Sequence, residues 1–295
     1  MSKVQEALGK FRKQAPSKPK ADKGKDGFGV GDERSSVPIA RKKKFDALGP
    51  KYHVEQEALV RDGLLAPLDH AVSVADEFRR IKRPLINNAI KNSARTEDHM
   101  NMVLVTSAMP GSGKTFCVVN LAVSMSLERE LNVVVVDADV LKPHISTSLG
   151  LEEREGLIDL LLDESRSIEE MLVRTDLNDI QVLPAGRRHP QATELLASDR
   201  MVEIVEELAT RYPDRIILLD SPPLLITSEA NALASQVGQI ALVVEAGKTD
   251  QHTLQQALEL LDSNKAINAI LNKSWHSTRI AYRGSGYGYY SYEGT

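Results

Sequence analysis

Short apolar runs and longer helical stretches alternate along the chain. The runs stand at residues 102–105, 131–136, 180–183, 215–219, 239–244 and 269–271, and they are dominated by Val, Ile and Leu. Runs this short and this apolar predict strands buried on both faces of a parallel sheet. Between and before them, helical patterns occupy residues 71–92, 116–130, 156–163, 167–175, 191–211, 229–236 and 250–262. The alternation predicts an α/β fold, a mostly parallel central sheet with helices on both faces. Pro84 is expected to end or kink the first of these helices.

The two ends depart from this rhythm. Val4, Ala7, Leu8 and Phe11 recur at i, i+3, i+4 and i+7 with basic residues mostly elsewhere, predicting a short amphipathic helix over residues 1–14. Residues 15–60 are read as a basic linker. Its first part, to residue 50, is rich in Pro, Gly, Ser and Lys and has little to bury. The globular domain is then expected over residues 61–275. A tail over residues 276–295 has no periodic apolar face, yet carries Tyr282, Tyr287, Tyr289, Tyr290 and Tyr292 among Gly, Ser and Arg.

The first apolar run leads into Ala108-Met109-Pro110-Gly111-Ser112-Gly113-Lys114-Thr115, with Phe116 opening the helical stretch. Strand, glycine-bearing loop and helix in that order form the phosphate-binding pattern of P-loop NTPases, with Ala108 at the usual first glycine. Gly111 and Gly113 let backbone N–H groups converge on a polyphosphate. The helix aims its unpaired N–H groups and positive dipole end at the same anion. Lys114 can reach the β- and γ-phosphates, and the Thr115 hydroxyl can ligate Mg²⁺. ATP and Mg²⁺ are the expected cofactors.

Two further strand ends carry acids, Asp137-Ala138-Asp139 and Asp220, and Asn272 closes the last strand. Open α/β sheets place their sites at such ends. One or two carboxylates, the Thr115 hydroxyl and phosphate oxygens suffice for Mg²⁺, and a further carboxylate can deprotonate an attacking hydroxyl.

Charge and composition narrow the setting. Residues 1–50 carry 13 Lys and Arg against 6 Asp and Glu, whereas the remainder carries 24 against 35. A basic arm on an acidic body can meet an anionic membrane surface, nucleic acid or an acidic partner, and by default is a solvated tether; weak contact with anionic membrane is the expectation, and no nucleic acid partner. The lone cysteine, Cys117, points to a reducing, cytoplasmic setting. No run approaches the ~20 apolar residues of a membrane span; residues 216–226 come nearest and are broken by Asp220, Pro222 and Pro223. The start of the chain lacks the apolar core of a signal peptide.

Taken together, AMPGSGKT, VVVVDADVLKP, IILLDSPPLL, EFRRIKR and the tail YGYYSY resemble the bacterial tyrosine kinases of exopolysaccharide and capsule loci. The opening MSKVQEALGKFRK is similar to the exosortase-associated members. The resemblance implies ATP-dependent autophosphorylation of the tail tyrosines. It implies Lys114, Asp137 and Asp139 as catalytic residues, with Asp137 the favoured base and Thr115, Asp139 and Asp220 serving the metal. Nucleotide binding falls to Pro110, Gly111, Ser112, Gly113, Lys114, Thr115, Phe116 and Asn272. Glu77, Arg80 and Arg83 are implied to join subunits into a ring. The implied partner is a membrane chain-length-determinant (polysaccharide copolymerase) protein that would hold the kinase at the inner face of the plasma membrane. Leu141 and Glu229 depart from residues common in the family. The alternatives are a partitioning or positioning ATPase of the same superfamily, and a catalytically weak scaffold. The former carries a signature lysine where this chain has Met109.

Overall fold

In a computed structural model of the chain, residues 50–67, 70–91, 99–129, 131–211 and 215–274 are described. The predicted helix of residues 1–14, the linker up to residue 49 and the five tail tyrosines lie outside the described residues.

Seven strands among the described residues form one sheet: β1 (Met102–Ser107), β2 (Asn132–Asp137), β3 (Val173–Arg174), β4 (Gln181–Leu183), β5 (Arg215–Asp220), β6 (Gln239–Glu245) and β7 (Ala266–Asn272). Their order is β3-β4-β2-β5-β1-β6-β7, and every pair is parallel except β3 with β4. The helices are α1 (Gln56–Arg61), α2 (Ala71–Lys91), α3 (Lys114–Ser126), α4 (His144–Ser148), α5 (Leu157–Leu162), α6 (Ile168–Met171), α7 (Ala192–Leu196), α8 (Asp199–Arg211), α9 (Ser228–Gln236) and α10 (Gln251–Glu259).

Strand side chains point alternately to the two faces, and both faces are apolar. Met102 and Leu104, Val134 and Val136, and Ile217 and Leu219 pack toward α5, α7, α8, α9 and α10. Val103 and Val105, Val133 and Val135, and Ile216 and Leu218 pack toward α1, α2 and α3. The fold is therefore the predicted α/β sheet with helices on both faces. β1 lies in its interior, so the loop that follows β1 opens between the ends of β5 and β6.

Four local expectations are corrected. α2 does not end at Pro84 but runs through it to Lys91, because Leu85, Ile86 and Ala89 in its second half are buried against the core. The helix expected over 167–175 stops at Met171. Val173 and Arg174 instead pair antiparallel with β4, using backbone groups that a helix would have consumed. The helix expected over 191–211 is two helices, with Ser198 turning the chain between them through its Oγ bond to the Leu195 carbonyl.

The fourth correction concerns residues 51–60, assigned to the linker by composition. They form a strap on the domain. Tyr52 bridges Thr175, its N–H donates to the Arg174 carbonyl (2.7 Å), and Asp176 binds both the Val54 N–H (2.9 Å) and His53 (2.6 Å). Val54 and Leu59 within it, and Leu64 just after it, are buried. Each contributes about 1.5–3 kcal/mol of burial, whereas a surface pair such as Lys51 with Asp179 is worth about 0–1 kcal/mol. Apolar burial holds the strap, and three apolar residues scattered among polar ones left no periodic signal in the sequence.

Candidate active site

The loop after β1 reaches α3 through two glycines in the left-handed region, Gly111 (φ 83°) and Gly113 (φ 88°). A side chain at Gly113 would also collide with Asn272, whose Nδ2 lies 2.2 Å from the position of a Cβ. Ala108 is not among the positive-φ residues, so the departure from glycine there costs no backbone strain. Ser107 and Ser112 both donate to the Met109 carbonyl (2.7 and 3.0 Å) and close the loop on itself. Gly113 caps α3, so the N–H groups of Lys114, Thr115 and Phe116 fall in the first turn, where no intrahelical acceptor exists. The Phe116 ring packs edge-on against Phe78 of α2, with centroids 5.9 Å apart. Only the backbone of Phe116 is thus left to meet a phosphate.

Asp137 and Asp220 end β2 and β5 as register partners, side by side and fully buried. Thr115 Oγ1 donates to Asp220 Oδ2 (2.7 Å). Ser146 of α4, a residue sequence reasoning missed, donates to Asp137 Oδ2 through both its backbone N–H (2.8 Å) and its hydroxyl (2.7 Å). Nothing in the sequence marks it; the turn between β2 and α4 brings it back nine positions to the strand end. The other oxygens, Oδ1 of Asp137 and Oδ1 of Asp220, are buried and have no hydrogen-bond partner.

The electrostatics follow from this burial. Desolvation pushes the Asp137 carboxyl up to about 7, although the Ser146 bonds oppose the shift. Desolvation, then the charge of Asp137, pushes Asp220 up to about 8. Asp139, half-buried, is raised by desolvation while Lys114 favours its charged form. Lys114 is itself buried, with 9% of its surface exposed. Cys117, one turn into α3, is buried; burial, then the Asp220 charge, push its thiol up to about 12, so it is inert.

A divalent cation fits this arrangement. The orphaned Oδ1 of Asp220, on the carboxylate whose other oxygen holds the Thr115 hydroxyl, begins an all-oxygen donor set suited to Mg²⁺. Among the described residues no cluster of three or more acidic, His or Cys side chains converges to hold a metal alone.

The last strand ends contribute a polar rim that the sequence marked only at Asn272. Asn272 Nδ2 donates to the Ser112 carbonyl (2.8 Å). Lys273 donates to the Gly111 carbonyl (2.7 Å) and pairs with Glu245 at the end of β6 (3.1 Å). The structure thus brings the loop, Asp137, Asp139, Asp220 and Asn272 to one edge of the sheet. Glu77, Arg80 and Arg83 are exposed on α2.

A family model described as an AAA domain matches residues 100–274. Tyrosine-protein kinase YwqD of Bacillus subtilis is 33% identical over 67% of this chain and 80% of its own length. The chain belongs to the bacterial tyrosine kinases. The putative tyrosine-protein kinase EpsB of Ralstonia nicotianae is 28% identical over 65% of this chain, but the match spans 25% of that longer protein. Among solved structures, the kinase domain of the Escherichia coli tyrosine kinase ETK superposes with a TM-score of 0.55 at 26% identity. It covers 68% of this chain and 76% of that one. This bacterial tyrosine kinase has no described helix long and apolar enough to cross a membrane.

Proposed function

We propose that this kinase transfers the γ-phosphoryl group of ATP to Tyr282, Tyr287, Tyr289, Tyr290 and Tyr292 of a neighbouring copy, within a ring-like oligomer. The observation that carries the reading is the juxtaposition of Lys114 and the phosphate loop with the buried, partly unsatisfied carboxylates Asp137 and Asp220. In this reading, residues 110–116 cradle the phosphates through backbone N–H groups, and Lys114 neutralises the β- and γ-phosphates. Thr115, Asp139 and Asp220 would hold Mg²⁺, which when bound would supply charge neutralisation on the transferring group. The phenolic oxygen of the acceptor tyrosine forms the new P–O bond as the bond to ADP breaks, and its proton passes to Asp137. A carboxyl raised to about 7 is well suited to that task, because a base works best near the operating pH.

β7 ends at the site with Asn272, and the tail follows it by a few residues in sequence. Its glycines, Gly284, Gly286 and Gly288, allow extended conformations that can enter a second molecule. Each phosphate adds about −1.5 to −2 charges, so several of them beside an acidic body would drive the tail out and loosen the oligomer. Transfer in trans is tested by mixing Lys114→Met protein, tail intact, with active protein whose five tail tyrosines are Phe. Phosphotyrosine is expected on the inactive chain. None there, with the wild type well labelled, would exclude transfer between copies.

The oligomer is proposed to form through Glu77, Arg80 and Arg83, which are exposed on α2 while the opposite side of that helix is buried. An acid and two bases on one face can pair head to tail, and a heterologous contact whose rotation closes gives a ring. Light scattering of unphosphorylated protein should show the oligomer in the wild type and a monomer when all three are Ala. Equal masses would remove the support for this interface. The family resemblance further supports a membrane chain-length-determinant partner in exopolysaccharide export, with the kinase peripheral to the membrane through it.

A further inference from the structure

Lys273 is one of four non-glycine residues with positive φ among the described residues (φ 57°). That conformation is unfavourable for a residue with a Cβ and marks a place where the surroundings impose it. Here it delivers Nζ to the Gly111 carbonyl at 2.7 Å and to Glu245 Oε1 at 3.1 Å. Glu245 Oε2 holds a second ammonium, Lys248 Nζ, at 3.3 Å. Lys248 in turn lies 3.9 Å from where a Cβ on Gly111 would stand. Next to it, Asn272 Nδ2 takes the Ser112 carbonyl. Two consecutive carbonyls of the phosphate loop are therefore tied to consecutive residues at the end of β7, and β7 is fixed to β6 through the Ala246 N–H to Asn272 carbonyl bond (2.9 Å).

The peptide unit is planar and trans, so the C=O of one residue and the N–H of the next point in opposite directions. Tying the Gly111 carbonyl outward aims the Ser112 N–H inward, and tying the Ser112 carbonyl aims the Gly113 N–H inward. Glycine alone would not hold this arrangement, because it populates both signs of φ. A carbonyl that rotated inward would present a negative dipole end to a polyphosphate instead of a donor.

We propose that Lys273, anchored by Glu245, is a positioning residue that holds the Gly111 peptide so that the phosphate loop is preformed for nucleotide. This rests on the nucleotide-site reading above. It goes beyond that reading because Lys273 acts on the loop and not on the reaction.

The test compares full-length wild type, Lys273→Met, Lys273→Arg and Glu245→Gln, each measured for MgADP dissociation constant, for KM and kcat of phosphotyrosine formation, and for melting temperature without nucleotide. Loss of one charge-assisted bond should raise the MgADP Kd and the KM for ATP about tenfold in Lys273→Met. Its kcat is expected to stay within about twofold, since uniform binding is lost and not transition-state binding. Arg should restore most of the affinity, Glu245→Gln should weaken it in the same direction, and melting temperatures should coincide. A solvated lysine with a purely structural ion pair predicts unchanged Kd in both variants, and that result would overturn the proposal. So would a loss confined to kcat. Absence of MgADP binding by the wild type would refute the nucleotide site itself and this proposal with it, which separates the two failures.

Discussion

Lys114→Met should reduce phosphotyrosine formation with Mg-ATP by about 10²–10³, the scale for removing one preorganised electrostatic contact from a developing charge. Lys114 is buried at the start of α3, and its charge interacts with both Asp139 and Asp220. A methionine fills the volume of the lysine stem, so the packing of the helix is retained while the ammonium is lost. Circular dichroism and the melting curve should therefore match those of the wild type. Phosphotyrosine read by mass spectrometry at wild-type levels in the variant would sink the assignment of the loop.

Asp137→Asn should move activity and stability in opposite directions. Turnover is expected to fall by about 10²–10⁴, the usual contribution of a positioned base, with nucleotide affinity little changed because the phosphate cradle is intact. Stability follows from linkage. The folded-state carboxyl is raised to about 7, above its ordinary value of 3.8. Between those values the folded protein keeps a proton that the unfolded chain has released. Stability is full below the lower value and falls as pH rises through the window, at most about 1.4 kcal/mol per pH unit for each such group. Asp220, raised to about 8, acts in the same direction, and the two titrate as a pair. Asn cannot ionise, so the nucleotide-free variant should melt above the wild type at pH 8 and the gap should close near pH 4. Parallel melting-temperature profiles for the two proteins would show that burial of Asp137 imposes no such cost.

The six parallel strands and the longer helices between them, the phosphate loop and the strand-end acids were legible from the chain because each rests on local rules. A Val-rich run bounded by breakers is a buried strand wherever it packs, and Gly111, Gly113, Lys114 and Thr115 state their chemistry by spacing alone. The resemblance of five short stretches then named the family that the relatives support. What went unread depended on partners distant in sequence. The strap over residues 51–60 is defined by Arg174 and Asp176, more than a hundred residues on. The short β3 exists because β4 lies beside it. Pro84 is tolerated because the residues after it bury their apolar side against the sheet.

The site divides in the same way. Sequence alone determined which residue types reach the ends of β1, β2, β5 and β7, since strand ends follow from local periodicity. The fold alone decided their pairing. The register of β2 with β5 sets Asp137 beside Asp220, the turn into α4 returns Ser146 to Asp137, and the left-handed twist at Lys273 returns its ammonium to Gly111. Parallel strands must be joined by long crossovers, so residues that meet at one sheet edge are far apart along the chain. Their contacts are properties of the assembled sheet and of no single stretch within it.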